Sequence, residues 1–137
     1  MPALRTYQVF ISHAWHRSAD YHRVVQFLDE SRNFRWANLS VPQHDPMSGS
    51  DLDYEVRNQM RPADVFVIIA GMYVAHSGWI DFELAFARRI GRPIIGVWRR
   101  GSQRLPHAIQ RAAVDVVGWN GASIVRAIRQ YALPSGS

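Results

Sequence analysis

The sequence contains no cysteine and no lysine, and each absence restricts what the protein can do. Without cysteine, this chain of 137 residues has no disulfide, no thiolate nucleophile and no thiolate zinc site. Its 16 basic residues are all arginines, a bias that we attribute to genome composition rather than to phosphate recognition. Because these arginines are scattered and no nucleic-acid-binding signature accompanies them, the net charge of +5 does not predict a nucleic-acid partner.

Long apolar runs are also missing. No stretch approaches the roughly 20 residues that a membrane-spanning helix needs. The N-terminal segment MPALRTYQVF has neither the long apolar run nor the cleavage site of a signal peptide. We therefore expect one cytoplasmic domain, residues 1–137, that does not interact with a membrane.

Several motifs of catalytic and nucleotide-binding proteins are absent as well. There is no G-x-x-x-x-G-K-[ST] and no G-x-G-x-x-G, which excludes P-loop and Rossmann dehydrogenase proteins. A phosphate-accepting receiver domain needs acidic residues where this chain has Ser12-His13 and Gly71-Met72. Ser12 has no base and acid in a recognisable order, so no hydrolase triad is predicted. His13 and His16 fall in a predicted loop without a third ligand, so we predict no metal site.

Hydrophobic patterning predicts five strands that alternate with helices. The predicted strands are Tyr7–Ser12, Phe34–Val41, Ala63–Ala70, Pro93–Trp98 and Val114–Trp119. The first predicted helix starts at an Asp20 N-cap and ends near Ser31, and the second follows a capping pattern at Ser50. The third runs from Gly78 to Ile90 before a Gly91 C-cap, the fourth covers Pro106–Arg111, and the fifth opens at Asn120 or Gly121. This alternation predicts a flavodoxin-like α/β three-layer sandwich, with a five-stranded parallel sheet in the order 2-1-3-4-5 and helices on both faces.

Glu83 is the residue that fits its predicted helix least well. The residues three and four positions away are Trp79, Ile80, Phe86 and Ala87, so its carboxylate shares a helix face with apolar side chains. A carboxylate in such surroundings loses hydration, which raises its pKa and makes it a candidate site residue. An ion pair with a distant arginine is the structural alternative, and the sequence leaves it open.

The predicted start of this helix separates Glu83 from its acidic neighbour. With Ser77 as the N-cap, Asp81 lies in the first turn and interacts favourably with the helix dipole. Glu83 lies beyond that turn. The dipole therefore accounts for Asp81 but not for Glu83.

In a sheet of the predicted order, ligands bind outside the carboxyl ends of strands one and three. The residues that we expect around this crevice are Glu83, Phe10, Ser12, His13, Trp15, Asp45, Met72, Tyr73 and Trp79. Aromatic rings around one carboxylate suit a flat, partly charged ligand such as a nucleotide base or a nicotinamide ring. For Phe10 and Tyr73 a packing role in the core is the more common alternative, whereas Trp79, one turn before Glu83, is placed for both roles.

Five segments of the chain resemble a known family. YQVFISHAWH resembles the first box of Toll/interleukin-1 receptor (TIR) domains, NLSVPQHDP the loop after strand two, and GMYVAHSGWIDFELAFA the W-x-x-x-E helix. RPIIGVW and VVGWNGASIVRAI complete the pattern. The chain resembles most closely the TIR-like proteins of bacterial Thoeris anti-phage systems. The resemblance spans residues 7–131, which we take as the core of the domain.

The resemblance implies an activity and a set of partners. Catalytic TIR domains cleave the nicotinamide glycosidic bond of NAD, and the catalytic glutamate of their W-x-x-x-E motif corresponds here to Glu83. In Thoeris-like systems the ADP-ribose moiety is cyclised into a signalling nucleotide that activates a separate effector. We therefore expect NAD as a substrate, no cofactor, and self-association. Two alternatives are a non-catalytic TIR-like module that works by self-association, and a nucleoside N-glycoside transferase on the same fold.

Overall fold

The computed structural model describes residues 5–12, 19–40, 57–58, 60–70, 73–98 and 105–134, without the side chains of residues 73–77 and 79. The strands in this part of the chain are β1 Thr6–Ser12, β2 Arg35–Asn38, β3 Val65–Ile69, β4 Ile94–Trp98 and β5 Asp115–Gly118. The helices are α1 Ala19–Asp29, α2 Tyr73–Arg89, α3 His107–Ala112 and α4 Gly121–Tyr131. None of these helices is both long enough and apolar enough to cross a membrane.

The five strands form one parallel sheet in the order β2-β1-β3-β4-β5, which confirms the predicted fold. β1 and β3 are central neighbours in the sheet. The chain passes from β1 through α1 to β2 on one side of this pair, and from β3 through α2 to β4 on the other side. Right-handed crossovers therefore place these two helices on opposite faces. On one face α1 packs against α4, and on the other α2 packs against α3. The all-apolar β3, VFVII, is buried along its whole length because both faces of the sheet are covered.

Polar side chains form contacts between neighbouring strands at the amino edge of the sheet. This edge lies opposite the expected ligand crevice. The Arg5 guanidinium lies 3.1 Å from Asp64 Oδ2, and the same oxygen accepts a 3.0 Å hydrogen bond from the Gln8 backbone N–H. Arg92 Nε donates to the Ala63 carbonyl at 2.8 Å. These contacts join the segments that enter β1, β3 and β4.

Two predicted helix caps are confirmed, and two, at Asp20 and Ser77, are wrong. Gly91 has a φ of 72°, the left-handed conformation expected of a glycine that ends a helix. Asn120 is the N-cap of α4, and its side chain accepts a hydrogen bond from the Ser123 N–H. Asp20, in contrast, lies inside the first turn of α1 and not at its N-cap. An acidic residue is favoured at either position, so its presence does not fix the helix start within one residue.

The predicted boundaries of the second strand and of α2 also differ from the structure. β2 is shorter than Phe34–Val41, and the helix expected after Ser50 lies mostly outside the described residues, of which 57, 58 and 60 are helical. α2 begins at Tyr73 rather than Gly78, so Ser77 is an interior residue and not the N-cap. Serine is a favoured N-cap residue, but in a helix interior it costs only a fraction of a kcal/mol relative to alanine, so its presence does not by itself fix the start of a helix.

Gly96 in β4 lies very close to neighbouring side chains, which gives a prediction about stability. A Cβ at this position would lie 3.0 Å from Ile109 Cγ2 and 3.3 Å from Val116 Cγ2. We expect Gly96→Ala to lower the free energy of unfolding by about 1–3 kcal/mol because the buried Ile109 has little room to move.

The matched control is Gly78→Ala in α2, where a Cβ would meet nothing within 4 Å. We expect this control to raise the free energy of unfolding by about 0.5–1 kcal/mol, measured for both by chemical denaturation. A Gly96→Ala protein as stable as the Gly78→Ala protein would contradict the packing argument.

Candidate functional site

The carboxyl ends of β1 and β3 lie side by side at the centre of the sheet. β1 ends at Ser12, which is paired in register with Ile68 of β3. Because α1 and α2 leave these two strands toward opposite faces, the crevice between them is the expected ligand position of a doubly wound sheet. Ser12 itself is buried, with 1% of its surface exposed.

Glu83 lies on the face of α2 that packs against the sheet. Its neighbours on this face are the buried residues Ile80, Leu84 and Ala87, whereas Asp81 on the opposite face is exposed. Glu83 has only 1% of its surface exposed. Since α2 begins at Tyr73, its first turn contains no acidic residue. The helix dipole therefore accounts for neither Asp81 nor Glu83, a correction to the expectation for Asp81.

A single hydrogen bond joins these two buried residues. The Ser12 hydroxyl donates to Oε1 of Glu83 with an oxygen–oxygen distance of 2.5 Å. Burial raises the pKa of Glu83 from 4.5 to about 8, and the hydrogen bond from Ser12 acts in the opposite direction. Among the described residues, no arginine forms an ion pair with Glu83. The structural alternative of a buried ion pair therefore gains no support from this part of the chain.

The structure assigns different surroundings to the other predicted site residues. Phe10 is 3% exposed, and its ring packs against Phe66 with 5.3 Å between the centroids, so it has the core-packing role that the sequence left open. Tyr73 is the first residue of α2, and Trp79 lies one helical turn before Glu83. The remaining predicted residues lie outside the described part of the chain; they are His13, Trp15, Asp45 and Met72.

Two surface grooves that the sequence did not predict are lined by residues other than Glu83. One of about 460 Å³ lies between α2 and α3 and is lined by Asp81, Arg88 and Arg111 together with four apolar residues. The other, of about 400 Å³, lies between the end of α1 and α4 and includes Arg32 and Arg126. Within the described residues, no cluster of three metal-ligating side chains is found.

The arrangement of Glu83 and Ser12 has a clear chemical capacity. A carboxyl group with a raised pKa can hold or release a proton near neutral pH, and in its ionised form it can stabilise a positive charge that develops beside it. The low local dielectric strengthens that interaction relative to the same interaction in water. A hydroxyl on a central strand, donating to one carboxylate oxygen, limits the orientations of the other.

Comparison with known proteins identifies the family. The family model described as the Thoeris protein ThsB, TIR-like domain, matches residues 10–104, a range that includes both Ser12 and Glu83. The chain belongs to this family. No curated protein sequence matches the ThsB-family chain. This assignment confirms the resemblance that the five sequence segments indicated.

A solved structure shares the fold of this ThsB-family protein. The CMP N-glycosidase BcmB of Clostridium botulinum superposes with a TM-score of 0.53 and 18% sequence identity. The match covers 90% of this chain and 99% of the glycosidase chain. At this identity the similarity establishes a common fold.

Proposed function

We propose that this ThsB-family protein is an enzyme that cleaves the N-glycosidic bond between nicotinamide and ribose in NAD. Glu83 is the proposed catalytic residue. The observation on which the proposal rests is the burial of its carboxyl group at the carboxyl edge of β1, bonded to Ser12 and without an arginine partner in the described part of the chain. Membership of the TIR-like family and the shared fold with an N-glycosidase support the same class of reaction.

The proposed chemistry begins with the loss of nicotinamide. The bond between C1′ of the ribose and the nicotinamide nitrogen breaks, and its electron pair leaves with the neutral nicotinamide. The ribose is then an oxocarbenium-like cation, and the ionised Glu83 carboxylate stabilises it across a short distance in a low-dielectric site. This carboxylate needs no solvent reorganisation, because Ser12 and the packing of α2 already hold it.

The positive charge of the nicotinamide ring favours NAD over nucleotides that have an uncharged base. Glu83 holds its proton at neutral pH because burial raises its pKa to about 8. The nicotinamide ring of NAD carries a positive charge, and such a charge beside the carboxyl group favours the ionised form that the reaction requires. The cytosine of CMP brings no such charge. NAD therefore helps to create the reactive state of the residue that acts on it.

We further propose that the ADP-ribose moiety is cyclised to a signalling nucleotide rather than hydrolysed. In that step an internal hydroxyl or ring nitrogen attacks C1′ in place of water, and a proton is released to solvent. Proximity decides the outcome when the dinucleotide is folded so that its own nucleophile lies near C1′. Our candidate for holding a ring in this conformation is Trp79, one turn of α2 before Glu83. The product is expected to activate a separate effector, and self-association of the TIR-like chain is part of the proposal.

Incubation with separate substrates tests this function. We expect the protein to release nicotinamide from NAD and to release base more slowly, by at least about tenfold, from CMP and from deoxynucleosides. Mass spectrometry of the NAD reaction identifies the product, and a species that lacks nicotinamide and has gained no water indicates cyclisation. Release of no base from any substrate would contradict an enzymatic function and favour a non-catalytic module.

A second candidate function is a nucleotide or nucleoside N-glycosidase or transferase. The observation that favours it is the shared fold with a CMP N-glycosidase over 90% of this chain. In that case a neutral base leaves, and the positive charge of nicotinamide plays no part. Faster release of cytosine from CMP than of nicotinamide from NAD would establish this alternative.

A further inference from the structure

Ser12 forms the one side-chain hydrogen bond to Glu83 that is seen among the described residues. The described buried polar side chains are Ser12, Ser40 and Glu83, each with 1% of its surface exposed. Ser40 bonds within its own region, to Asn38 and Tyr21. The Ser12–Glu83 bond, in contrast, joins residues 71 positions apart and links the central sheet to α2.

The position of Ser12 makes it a rigid support. It is the last residue of β1 and is paired in register with Ile68 of β3, while β2 pairs with the earlier part of β1, Thr6–Val9. A glutamate side chain has three rotatable bonds, and an isolated one samples many orientations. A hydroxyl held by the sheet at 2.5 Å from Oε1 removes most of that freedom. The other carboxylate oxygen, Oε2, takes no part in this bond.

We propose that Ser12 is the positioning residue of this site: its hydroxyl holds Oε1 of Glu83 and leaves Oε2 as the oxygen that faces the ribose. This inference rests on the proposed glycosidic-bond cleavage and assigns a separate role to each of the two carboxylate oxygens. Ser12 acts through Glu83 and takes no part in bond breaking.

No charged group on the described elements around Glu83 can substitute for this contact. The described residues of β1, β3 and β4 include no charged side chain. On α2 itself Asp81, Arg88 and Arg89 are exposed and lie away from the sheet. The Arg57 guanidinium lies over the rings of Phe82 and Phe86, at 5.5 and 5.9 Å from their centroids.

Removing the hydroxyl has a predictable effect on the ionisation of Glu83. A hydrogen bond donated to a carboxylate stabilises the ionised form, so Ser12→Ala raises the pKa of Glu83 further. A hydrogen bond to a charged group corresponds to a shift of about one to two pH units. The pH profile of activity moves to higher pH by that amount, because the reaction requires the ionised carboxylate.

The activity of three variants tests the positioning role. For Ser12→Ala we expect kcat for NAD at neutral pH to fall about tenfold or more, with KM nearly unchanged and partial recovery above pH 9. Ser12→Thr retains the hydroxyl and should keep the pH profile of the wild type. Ser40→Ala removes an equally buried hydroxyl that does not contact Glu83, and its pH profile should also be unchanged. A Ser12→Ala enzyme with an unchanged profile or a higher kcat would overturn the proposal.

A stability measurement tests the same contact without any enzymatic activity. The melting temperature is followed between about pH 5 and pH 9.5 for the wild type, Ser12→Ala, Glu83→Gln and the double variant. Glu83→Gln is expected to raise the melting temperature at pH 9. If the Ser12 hydroxyl stabilises ionised Glu83, this increase is larger when Ser12 has been replaced by alanine than when Ser12 is present. Equal effects of Glu83→Gln in both backgrounds would refute the contact. This result is independent of whether NAD is the substrate, so failure of this inference and failure of the proposed function are distinguishable.

Discussion

Glu83→Gln is expected to make the protein more stable than the wild type at pH 8, although it removes the proposed catalytic residue. The carboxyl group keeps its proton in the folded state up to about pH 8, whereas the unfolded chain releases it near pH 4.5. Between these values the unfolded state binds fewer protons than the folded state. The free energy of unfolding therefore falls as the pH rises through this window. Glutamine mimics the protonated form and does not titrate, so the free energy of unfolding of the variant does not fall in this way.

The size of the effect follows from the two pKa values. Their difference of about 3.5 pKa units corresponds to about 5 kcal/mol. For a domain of this length, that is a difference in melting temperature of roughly 15–20 °C. Near pH 4 both states are protonated and the wild type and Glu83→Gln should have almost equal stability. The advantage of the variant grows up to about pH 8 and is then constant.

Thermal melts across this pH range measure the effect. The matched control is Glu30→Gln, the same substitution at an exposed glutamate at the end of α1. Curves for the wild type and Glu83→Gln that stay parallel from pH 4 to 9 would mean that Glu83 ionises normally. The argument from burial would then fail.

The second large effect is the loss of nicotinamide release in the same Glu83→Gln variant. Glutamine has the shape and hydrogen-bonding groups of the protonated side chain, but it cannot become negatively charged. It therefore removes the charge that stabilises the oxocarbenium-like ribose while it keeps the packing around α2. We expect the rate of nicotinamide release to fall at least about 1000-fold, with KM for NAD changed only slightly.

The stability measurement on Glu83→Gln is the control for the activity measurement on the same variant. A variant that is more stable than the wild type cannot have lost activity by unfolding, so a loss of activity reports on chemistry. Glu30→Gln again is the control and should retain the wild-type rate. If Glu83→Gln cleaves NAD as fast as the wild type, Glu83 takes no part in the reaction and its burial is a feature of the core alone.

Much of the fold could be predicted because local patterns and global topology agree. The apolar run that contains Val65–Ile69 indicated a strand covered on both faces, and the structure buries that strand completely. The Gly91 and Asn120 caps follow from the backbone conformations that these residues favour. The start of α2 was less predictable, because serine is acceptable both as a cap and inside a helix, and the helix begins at Tyr73 rather than after Ser77.

The candidate site could be predicted only in part. The apolar neighbours of Glu83 in the sequence indicated an unusual carboxylate, and the W-x-x-x-E resemblance indicated its role. Phe10 shows the limit of this reasoning, since an aromatic residue near the end of a strand suits a ligand platform and a core equally well. Its contact with Phe66 decided for the core.

By itself, the sequence determined the fold class, the strand order, the family and the position of Glu83 on an apolar helix face. These features depend on the order and periodicity of residue types, which the chain contains directly. Only the tertiary structure decided that Ser12 and Glu83, 71 positions apart, share a hydrogen bond. The burial that raises the pKa of Glu83 likewise comes from strands and helices that are distant in sequence. Hydration and hydrogen bonding depend on which groups meet in space, and the chain has to fold before they meet.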